Sequence, residues 1–384
     1  MEKLMKFNAS FKYKNSMVTA LMEIEGAKKV VDILPLPPSG VLSLKQVARQ
    51  KASRGSVAIE GNPLNHREVL QAVAGTDRTP TEHAQEVRNY WRALEWLEEK
   101  VSESTVINEN FIKNLHSMIM VRTVGRRTKS SYRTGECPIV DTATRQIDYA
   151  PPTPKDVPKL MKNLVDWVNS KEASVLPGPV RAAILAHRFV SIHPFDDGNG
   201  RTTRALATAE LWRSGYYMQG FISVEEFYDE TREAYYDNLQ MHLPVNFYDG
   251  RHDPDHTQWL EYFVAILNKA TTEIRLKAEQ LYKQQTIDDA PWLKLSKRQQ
   301  QLLMRLVARR TDSDKEPLVF VPSDIISWFE VSKQTAHEWL KEWMSSDFVI
   351  PFNPGKRVRY YTLTNKWLDL VEDVKQLTTE MENQ

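Results

Sequence analysis

The chain has 384 residues, with 51 basic and 50 acidic side chains, so its length predicts two or three domains and its balanced charge offers no global field for nucleic acid or membrane. A single cysteine, Cys137, excludes an internal disulfide framework and is typical of a reducing cytoplasm. No apolar run reaches the roughly 20 residues of a membrane span, and no signal-peptide pattern is present, so we expect a cytoplasmic protein.

Residues 1–75 are predicted to be an N-terminal region. The stretch up to about Ser43 is predicted to include an extended N-terminal segment and the proline-rich segment Leu34–Gly40. Such a segment would be ordered only by packing on another part of the protein.

A helix is expected from about Leu44 to Gly61, where glycine favours a stop. Ser56 and Glu60 are four residues apart and therefore share one face of this helix. By itself, a helix that ends in Glu-Gly-Asn-Pro is most often only a helix end.

Residues 76–285 are predicted to form a second, mainly helical domain. Glu82–Leu97 has the spacing of an amphipathic helix. Asn108 is placed to cap the next helix, the proline-rich stretch 151–154 precedes another, and a charged helix covers 271–284.

Two short β-prone runs interrupt this helical domain. They cover residues 131–140 and 146–152, and a polar turn at 141–144 joins them. This arrangement predicts a β-hairpin.

Residues 193–204 read His-Pro-Phe-Asp-Asp-Gly-Asn-Gly-Arg-Thr-Thr-Arg and lie between two predicted helices. Residues 182–192 have helical apolar spacing, and Pro194 disfavours helical geometry at the preceding histidine, where the first helix should end. Helical spacing resumes over 201–212. The segment is therefore predicted to be a helix-loop-helix corner, with residues 198–200 just before the second helix.

The side chains of this corner suit phosphate chemistry. Gly198, Asn199 and Gly200 would let backbone N–H groups converge on an anion beside a positive helix N-terminus. Arg201 and Arg204 are three residues apart on one helix face, where both could bind the same polyphosphate.

Two further side chains complete the set. Asp197 offers a hard oxygen ligand for Mg²⁺. His193 belongs to the residue type best suited to act as a general base near neutral pH, and Phe195 is expected to anchor the loop in the core. The alternative is a capped helix junction in which the aspartates and Asn199 only form turns and the arginines are solvated.

The string 193–204 matches throughout the signature His-Pro-Phe-x-(Asp/Glu)-Gly-Asn-Gly-Arg-x-x-Arg, and the chain therefore resembles the Fic family. Members typically move AMP from ATP to a hydroxyl group of a target protein. The resemblance implies a mainly α fold, a Fic-type helical bundle with a small β-hairpin flap, with ATP as substrate and Mg²⁺ as cofactor.

The resemblance also implies roles for single residues. His193 would deprotonate a Ser, Thr or Tyr hydroxyl, and Asp197 would hold Mg²⁺ against the α- and β-phosphates. Arg201 would stabilise charge on the phosphates during transfer, and Arg204 would receive the γ-phosphate. The phosphates would rest on Gly198, Asn199 and Gly200. A related kinase branch lacks the second of these glycines, so its presence favours nucleotidyl transfer.

The segment that contains Ser56, Glu60 and Gly61 is similar to the family's inhibitory motif, (Ser/Thr)-x-x-x-Glu-(Gly/Asn). Its position places the chain in the class whose inhibitory helix precedes the catalytic core. The resemblance implies that Glu60 pairs with Arg204 in the place of the γ-phosphate, so that ATP binds only weakly or unproductively.

The hairpin is similar to the flap on which targets dock in this family, by pairing of β-strands. Its docking residues would be Ile139, Val140 and Ile147. Tyr235 and Tyr236 could wall the adenine and ribose, or they could be core aromatics at helical spacing.

Residues 292–384 resemble a winged helix-turn-helix domain. Helices are expected over 296–309, 322–329 and 331–343, and a two-stranded wing over 348–363. Such domains bind DNA through the third helix and the wing, or serve as dimer and partner-docking surfaces. The candidate DNA contacts are Ser332, Lys333, Gln334, Thr335, His337, Lys356, Arg357 and Arg359.

The favoured function is a self-inhibited protein adenylyltransferase that modifies a target protein or itself. The first alternative is a DNA-binding regulator that uses the Fic core as a nucleotide sensor. The second is an enzyme that removes AMP, in which Glu60 positions water. A homodimer is left open.

Overall fold

The structure, a computed structural model, describes residues 7, 9–77, 81–121, 130–140, 144–284, 295–312, 317–353 and 358–382. As predicted, it is mainly α-helical, with a small β-hairpin. Its helices are α1 (Asn15–Ile33), α2 (Pro38–Ile59), α3 (His66–Ala74), α4 (Glu82–Lys100), α5 (Glu109–Ile119), α6 (Val157–Val168), α7 (Lys171–Ser174), α8 (Gly178–Ile192), α9 (Asn199–Arg213), α10 (Glu225–Glu230), α11 (Arg232–Gln240), α12 (Thr257–Gln284), α13 (Lys297–Asp312), α14 (Pro322–Phe329), α15 (Lys333–Ser345) and α16 (Asn365–Glu382). Its strands are β1 (Ile139–Val140), β2 (Ile147–Tyr149), β3 (Val349–Phe352) and β4 (Tyr360–Leu363). No helix in the described ranges is both long enough and apolar enough to cross a membrane.

The first helix corrects the sequence analysis, which expected an extended N-terminal segment in the stretch up to about Ser43. Helix α1 packs along α12 and buries one stripe of side chains. The prediction was wrong because the outer face of α1 is also partly apolar, with Val18, Met22 and Ile33 exposed, so that the helical period is blurred. The buried stripe is Met17, Ala20, Ile24, Ala27 and Val31.

Helix α2 lies at the centre of the molecule. It begins at Pro38, earlier than the predicted Leu44, since proline is well suited to the first turn of a helix. It packs against α4, α10 and α16, and even its polar residues Ser43, Gln50 and Ser53 are fully buried. A Cβ atom added at Gly55 would lie 2.5 Å from the carbonyl carbon of Glu225, so the backbones of α2 and α10 touch there.

The helices around residues 193–204, the segment suited to phosphate chemistry and called the phosphate motif below, confirm the predicted pattern. Helix α8 ends at Ile192, directly before His193, and packs against α9. Helix α4 covers the predicted stretch, and Asn108 caps α5 by accepting a hydrogen bond from the backbone N–H of Phe111 at 2.8 Å. Helix α12 is longer than predicted, because Thr257 rather than Thr271 begins it.

The flap, which is the hairpin of β1 and β2, forms as predicted. Its strands are antiparallel, and Ile139 is paired with Tyr149 and Val140 with Ile147. Of the predicted polar turn, residues 141–143 lie outside the described residues. The backbone N–H of Ala150 donates to the carbonyl of Val245 at 2.9 Å and ties the end of the flap to the helical core.

The C-terminal module, defined as α13–α16 with β3 and β4, has its elements in the predicted order. Strands β3 and β4 are antiparallel, with Val349 opposite Leu363. The module is packed on the rest of the chain, with α13 against α3 and α16 against α2. Arg305 of α13 pairs with Glu95 of α4 at 2.7 Å, and both side chains are buried. Two predicted wing residues, Lys356 and Arg357, and the boundary at 285–294 lie outside the described residues.

Candidate active site

The loop between α8 and α9 needs unusual backbone geometry at two positions. His193 follows the last residue of α8 with a φ of 50°, in the left-handed region. Gly198 precedes α9 with a φ of 74°. A Cβ atom there would lie 2.4 Å from the sulfur of Met120, so both the conformation and the available space demand glycine.

Asn199 braces this loop from within. Its side-chain oxygen accepts from the N–H of Phe195 at 3.0 Å, and its amide donates to the carbonyl of Phe195 at 2.8 Å. Asn199 is the first residue of α9, so it and Gly200 lie inside the helix, and only Gly198 precedes it. The expectation that all three residues come before the helix was wrong by two positions, because the asparagine side chain closes the loop and lets the helix start earlier.

His116 supports the loop from α5, and the sequence analysis did not identify it as part of the site. Its ring stacks on Phe195, with centroids 3.7 Å apart, and its Nε2 donates to the carbonyl of Asp197 at 2.9 Å. Phe195 is buried, as expected of a core anchor. The contact depends on the fold, since 81 positions separate His116 from Asp197.

Arg133 holds the other side of the loop and was also missed. Its Nε donates to the carbonyl of His193 at 2.8 Å, and its backbone N–H donates to the carbonyl of Pro194 at 2.9 Å. The side chain is buried, and its Nη2 also donates to the carbonyl of Pro152. One arginine therefore joins the loop between α8 and α9 to the base of the flap.

His193 is largely shielded from solvent at the edge of the cavity described below. Burial lowers the pKa of His193 to about 4, although the carbonyl of Val190 and the charges of Glu60 and Asp197 oppose this shift. The charge of Arg133 acts in the same direction as burial. The imidazole is therefore neutral at physiological pH and can accept a proton.

Arg201 and Asp197 lie together on the N-terminal side of α9. The guanidinium of Arg201 is 3.1 Å from an oxygen of Glu86 and 3.4 Å from an oxygen of Asp197. The same oxygen of Asp197 accepts from the N–H of Gly198 at 2.6 Å. The Asp197 side chain is 62% exposed, so its other oxygen is accessible to a ligand.

Arg204 is buried and is bound by the end of α2. Its Nη2 lies 2.7 Å from Oε1 of Glu60 and donates to the carbonyl of Ser56 at 2.7 Å, while its Nε donates to the Ser56 hydroxyl at 3.0 Å. Burial alone would disfavour the charged form, but the charge of Glu60 outweighs it, so the pKa of Arg204 is raised. Gly61 follows with a φ of 92° and ends α2 there.

A cavity of about 700 Å³ lies beside His193 and Arg204. Glu60, His193, Gly200 and Arg204 line one part of it, and residues of the flap and of α11, together with Val190, Ser191 and Arg251, line the rest. Asp197, Gly198, Asn199 and Arg201 are not among the described residues that line it. The flap and α11 contribute Ile139, Asp148, Tyr149, Tyr235, Tyr236, Asp237, Leu239 and Gln240.

The two tyrosines of α11 differ. Tyr235 is buried and packs against Tyr228, with centroids 4.7 Å apart, so it is a core aromatic that also borders the cavity. Tyr236 is 40% exposed and faces the cavity. Ile139 and Ile147 of the flap are also exposed, and the hydroxyl of Tyr149 donates to the carbonyl of Ser191, which fixes the flap to α8.

Comparison with known proteins adds an independent finding. Residues 106–211 match the Fic/DOC family. The chain is 30% identical over 190 residues to "Protein adenylyltransferase Fic" of Culex quinquefasciatus, and the match covers 48% of this chain and 35% of that protein. It is 32% identical over 165 residues to the protein of the same name from Drosophila willistoni, covering 42% and 31%. The match therefore spans only about a third of the length of these relatives.

Two solved structures have the same fold. A Fic family protein from Desulfovibrio desulfuricans superposes with a TM-score of 0.59 at 23% identity, covering 93% of this chain and 98% of that one. A Fic domain containing signaling protein from Bacteroides thetaiotaomicron superposes with a TM-score of 0.58 at 22% identity, covering 70% and 99%.

Proposed function

The chain carries a Fic domain, and from that premise we propose that the protein is a self-inhibited protein adenylyltransferase. It transfers AMP from ATP to a Ser, Thr or Tyr hydroxyl of a target protein or of itself. The observation that carries this proposal is that His193, Gly200, Arg204 and Glu60 all line one cavity. A base, an anion-binding helix start, a phosphate-binding cation and a competing carboxylate are thereby brought together.

The reaction follows from this placement. The triphosphate lies along the N-terminal end of α9, where the helix dipole and the backbone N–H groups favour anions. Neutral His193 takes the proton from the target hydroxyl. The hydroxyl oxygen forms a bond to the α-phosphorus, the bond from that phosphorus to the bridging oxygen breaks, and pyrophosphate leaves. Arg204 and Arg201 hold the phosphates in place for this step.

The residues present fit Mg²⁺. Asp197 offers one accessible carboxylate oxygen next to Arg201, and the described residues contain no cluster of three or more ligand-type side chains. A site of this kind binds Mg²⁺ through one carboxylate together with substrate phosphates. When bound, the ion would neutralise charge on the phosphate oxygens.

The resting state is inhibited by competition at Arg204. The guanidinium donates to Glu60 and twice to Ser56, so three of its five N–H groups are already engaged. A γ-phosphate must replace Glu60 to reach it. We propose that Glu60 keeps ATP out of the productive position until it moves aside.

Target proteins are proposed to dock on the flap. Among the described residues the flap is a two-stranded sheet to which no third strand is added, and Ile139, Val140 and Ile147 project exposed apolar side chains. Replacing Ile139 and Ile147 together with serine is expected to lower target labelling at least fivefold while ATP affinity stays within about twofold. Val175→Ser serves as the control, because Val175 is exposed and is not among the described residues that line the cavity. Equal loss in both variants would argue against docking on the flap.

The reaction class is tested with the Glu60→Gly variant and ATP labelled at either the α- or the γ-phosphate. We expect label in protein only from the α-position, and none from either position when His193→Ala is added. Label from the γ-position would indicate a kinase. An absence of label with intact ATP binding would favour the nucleotide-sensor alternative, and loss of AMP from a pre-modified target would favour the reverse reaction.

A second candidate function concerns the C-terminal module. The start of α15 is exposed at Lys333, Gln334 and His337, as a DNA-reading helix requires. Glu338, which accepts a hydrogen bond from Gln334 at 3.0 Å, reduces the positive charge of this surface. A gel shift at low salt tests the proposal, and an absence of binding there would rule against it.

A further inference from the structure

The turn that follows α2 is connected to both arginines of the phosphate motif, by two separate routes. Glu60 contacts Arg204 directly. Two residues later, the side-chain amide of Asn62 donates to Oε2 of Glu86 at 2.7 Å. The other oxygen of Glu86 accepts from Nη1 of Arg201 at 3.1 Å.

We infer that Glu86 is a positioning residue for Arg201, and that Asn62 holds Glu86 in place for this purpose. The inference rests on the proposed function, because it assumes that Arg201 acts on the phosphates of ATP. It goes beyond that function by assigning a role to a carboxylate of α4 and to an asparagine outside the motif.

The charge of Arg201 is the first reason for this inference. The residue is only 6% exposed, and a buried cation needs a partner that also satisfies its N–H groups. Glu86 accepts a hydrogen bond from Nη1 of Arg201, while Nη2 lies 3.4 Å from Oδ1 of Asp197. Because a guanidinium is planar and rigid, fixing one nitrogen fixes the direction of the other. Glu86 thereby directs Nη2 of Arg201 towards Asp197, the proposed metal ligand.

The fixed orientation of Asn62 is the second reason for this inference. The side chain is buried, and its oxygen accepts from the N–H of Leu64 at 3.1 Å. Its amide nitrogen donates to the carbonyl of His83 at 3.0 Å as well as to Glu86. These contacts set the orientation of the amide group. Asn62 therefore presents a donor to Glu86, whose side chain is about one-third exposed and whose Oε2 also lies 3.8 Å from Nδ1 of His83.

The two routes also separate inhibition from positioning. Glu60 binds the arginine proposed to receive the γ-phosphate, whereas Glu86 binds the arginine beside Asp197. Removing Glu60 frees Arg204 but leaves the contact between Glu86 and Arg201 intact. The function of Glu86 is therefore measurable in a protein from which the inhibitory carboxylate has been removed.

The experiment measures steady-state AMP transfer in the full-length Glu60→Gly parent. Into this parent we introduce Glu86→Gln, Arg201→Lys, or both. We expect Glu86→Gln to lower kcat about tenfold while KM for ATP changes less than about threefold. In the Arg201→Lys background, Glu86→Gln should lower kcat by less than about twofold, because Arg201, the residue through which Glu86 acts, has been altered. Glu82→Gln, a change of another exposed glutamate of α4, is the matched control and should leave kcat unchanged.

Three results would overturn the inference. Unchanged kcat in Glu86→Gln would show that the contact between Glu86 and Arg201 is dispensable. Increased activity would make Glu86 a second inhibitory carboxylate, and an undiminished effect in the Arg201→Lys background would make its role purely structural.

If the parent itself transfers no AMP, the proposed function fails, and the position of Arg201 is then measured separately by NMR of its guanidinium group. Glu86→Gln should release a hindered rotation of that group. Rotation that is equally fast in the parent would contradict the inference.

Discussion

The carboxylate of Glu60 lies 2.7 Å from the guanidinium of Arg204, so the residue directly after α2 is paired with the last residue of the segment 193–204. Helix α2 is buried along nearly its whole length, between α4, α10 and α16. The carboxylate that we propose to be inhibitory is therefore held at the end of a rigid helix. Its own side chain is 36% exposed at the cavity, where it can be displaced without unfolding the helix.

The close contact between α2 and α10 is expected to tolerate no side chain at Gly55. A Cβ atom there would meet the backbone of Glu225 at 2.5 Å, and backbone atoms cannot move aside cheaply. Gly55→Ala should lower the free energy of unfolding by about 1–3 kcal/mol in a chemical denaturation experiment. Gly26→Ala on α1 is the control, because a Cβ atom there meets nothing within 4 Å. It should raise stability by about 0.5–1 kcal/mol, and a similar loss in both variants would contradict the packing argument.

The C-terminal module is expected to depend on buried charge. Arg305 pairs with Glu95, which also accepts from the indole N–H of Trp91 at 2.7 Å. Arg305→Met would leave Glu95 without its principal partner and should destabilise the protein by about 3–5 kcal/mol. Lys162→Met removes one partner of an exposed pair with Asp166 and should change stability by less than about 1 kcal/mol. Equal changes in the two variants would show that the interface does not depend on this pair.

The pH dependence of transfer should reflect the buried base. Because the pKa of His193 is lowered to about 4, the neutral imidazole predominates at every pH well above that value. Removing Glu60 takes away a charge that raises this pKa, so in Glu60→Gly the midpoint lies at or below the same value. Initial rates should therefore be flat from about pH 6 to 8 and fall only towards pH 4.

Circular dichroism spectra recorded at each pH serve to check that the protein is still folded during this titration. His337→Gln, which alters an exposed histidine of α15, should leave the profile unchanged. A midpoint near the ordinary imidazole value of about 6.5 would contradict the burial of His193.

The sequence predicted what is local. The end of α8 at His193 and the capping of α5 by Asn108 follow from short-range signals, and the structure has both. The flap also forms where two β-prone runs surround a polar turn. These features depend on neighbours within a few residues, whose preferences can be read without knowing the fold.

The supporting residues could not be predicted in this way. Glu86 and Arg201 are 115 positions apart, and His116 and Asp197 are 81 apart, so only the packed helices bring them together. Helix α1 was missed because its outer face is partly apolar, which blurs the helical period of its buried stripe. The start of α9 was placed two residues late, since the side chain of Asn199 closes the loop on Phe195.

The central claim is that Glu60 restrains an otherwise competent transferase. Its most direct test compares the initial rate of AMP incorporation from ATP labelled at the α-phosphate in wild type, Glu60→Gln and Glu60→Gly. We predict a rate at least tenfold above wild type for Glu60→Gly. This corresponds to an activation free energy lower by about 1.4 kcal/mol. Glu60→Gln should lie between them, because an amide keeps the shape of the side chain but not its charge. Equal rates in all three proteins, or a slower rate in Glu60→Gly, would contradict it.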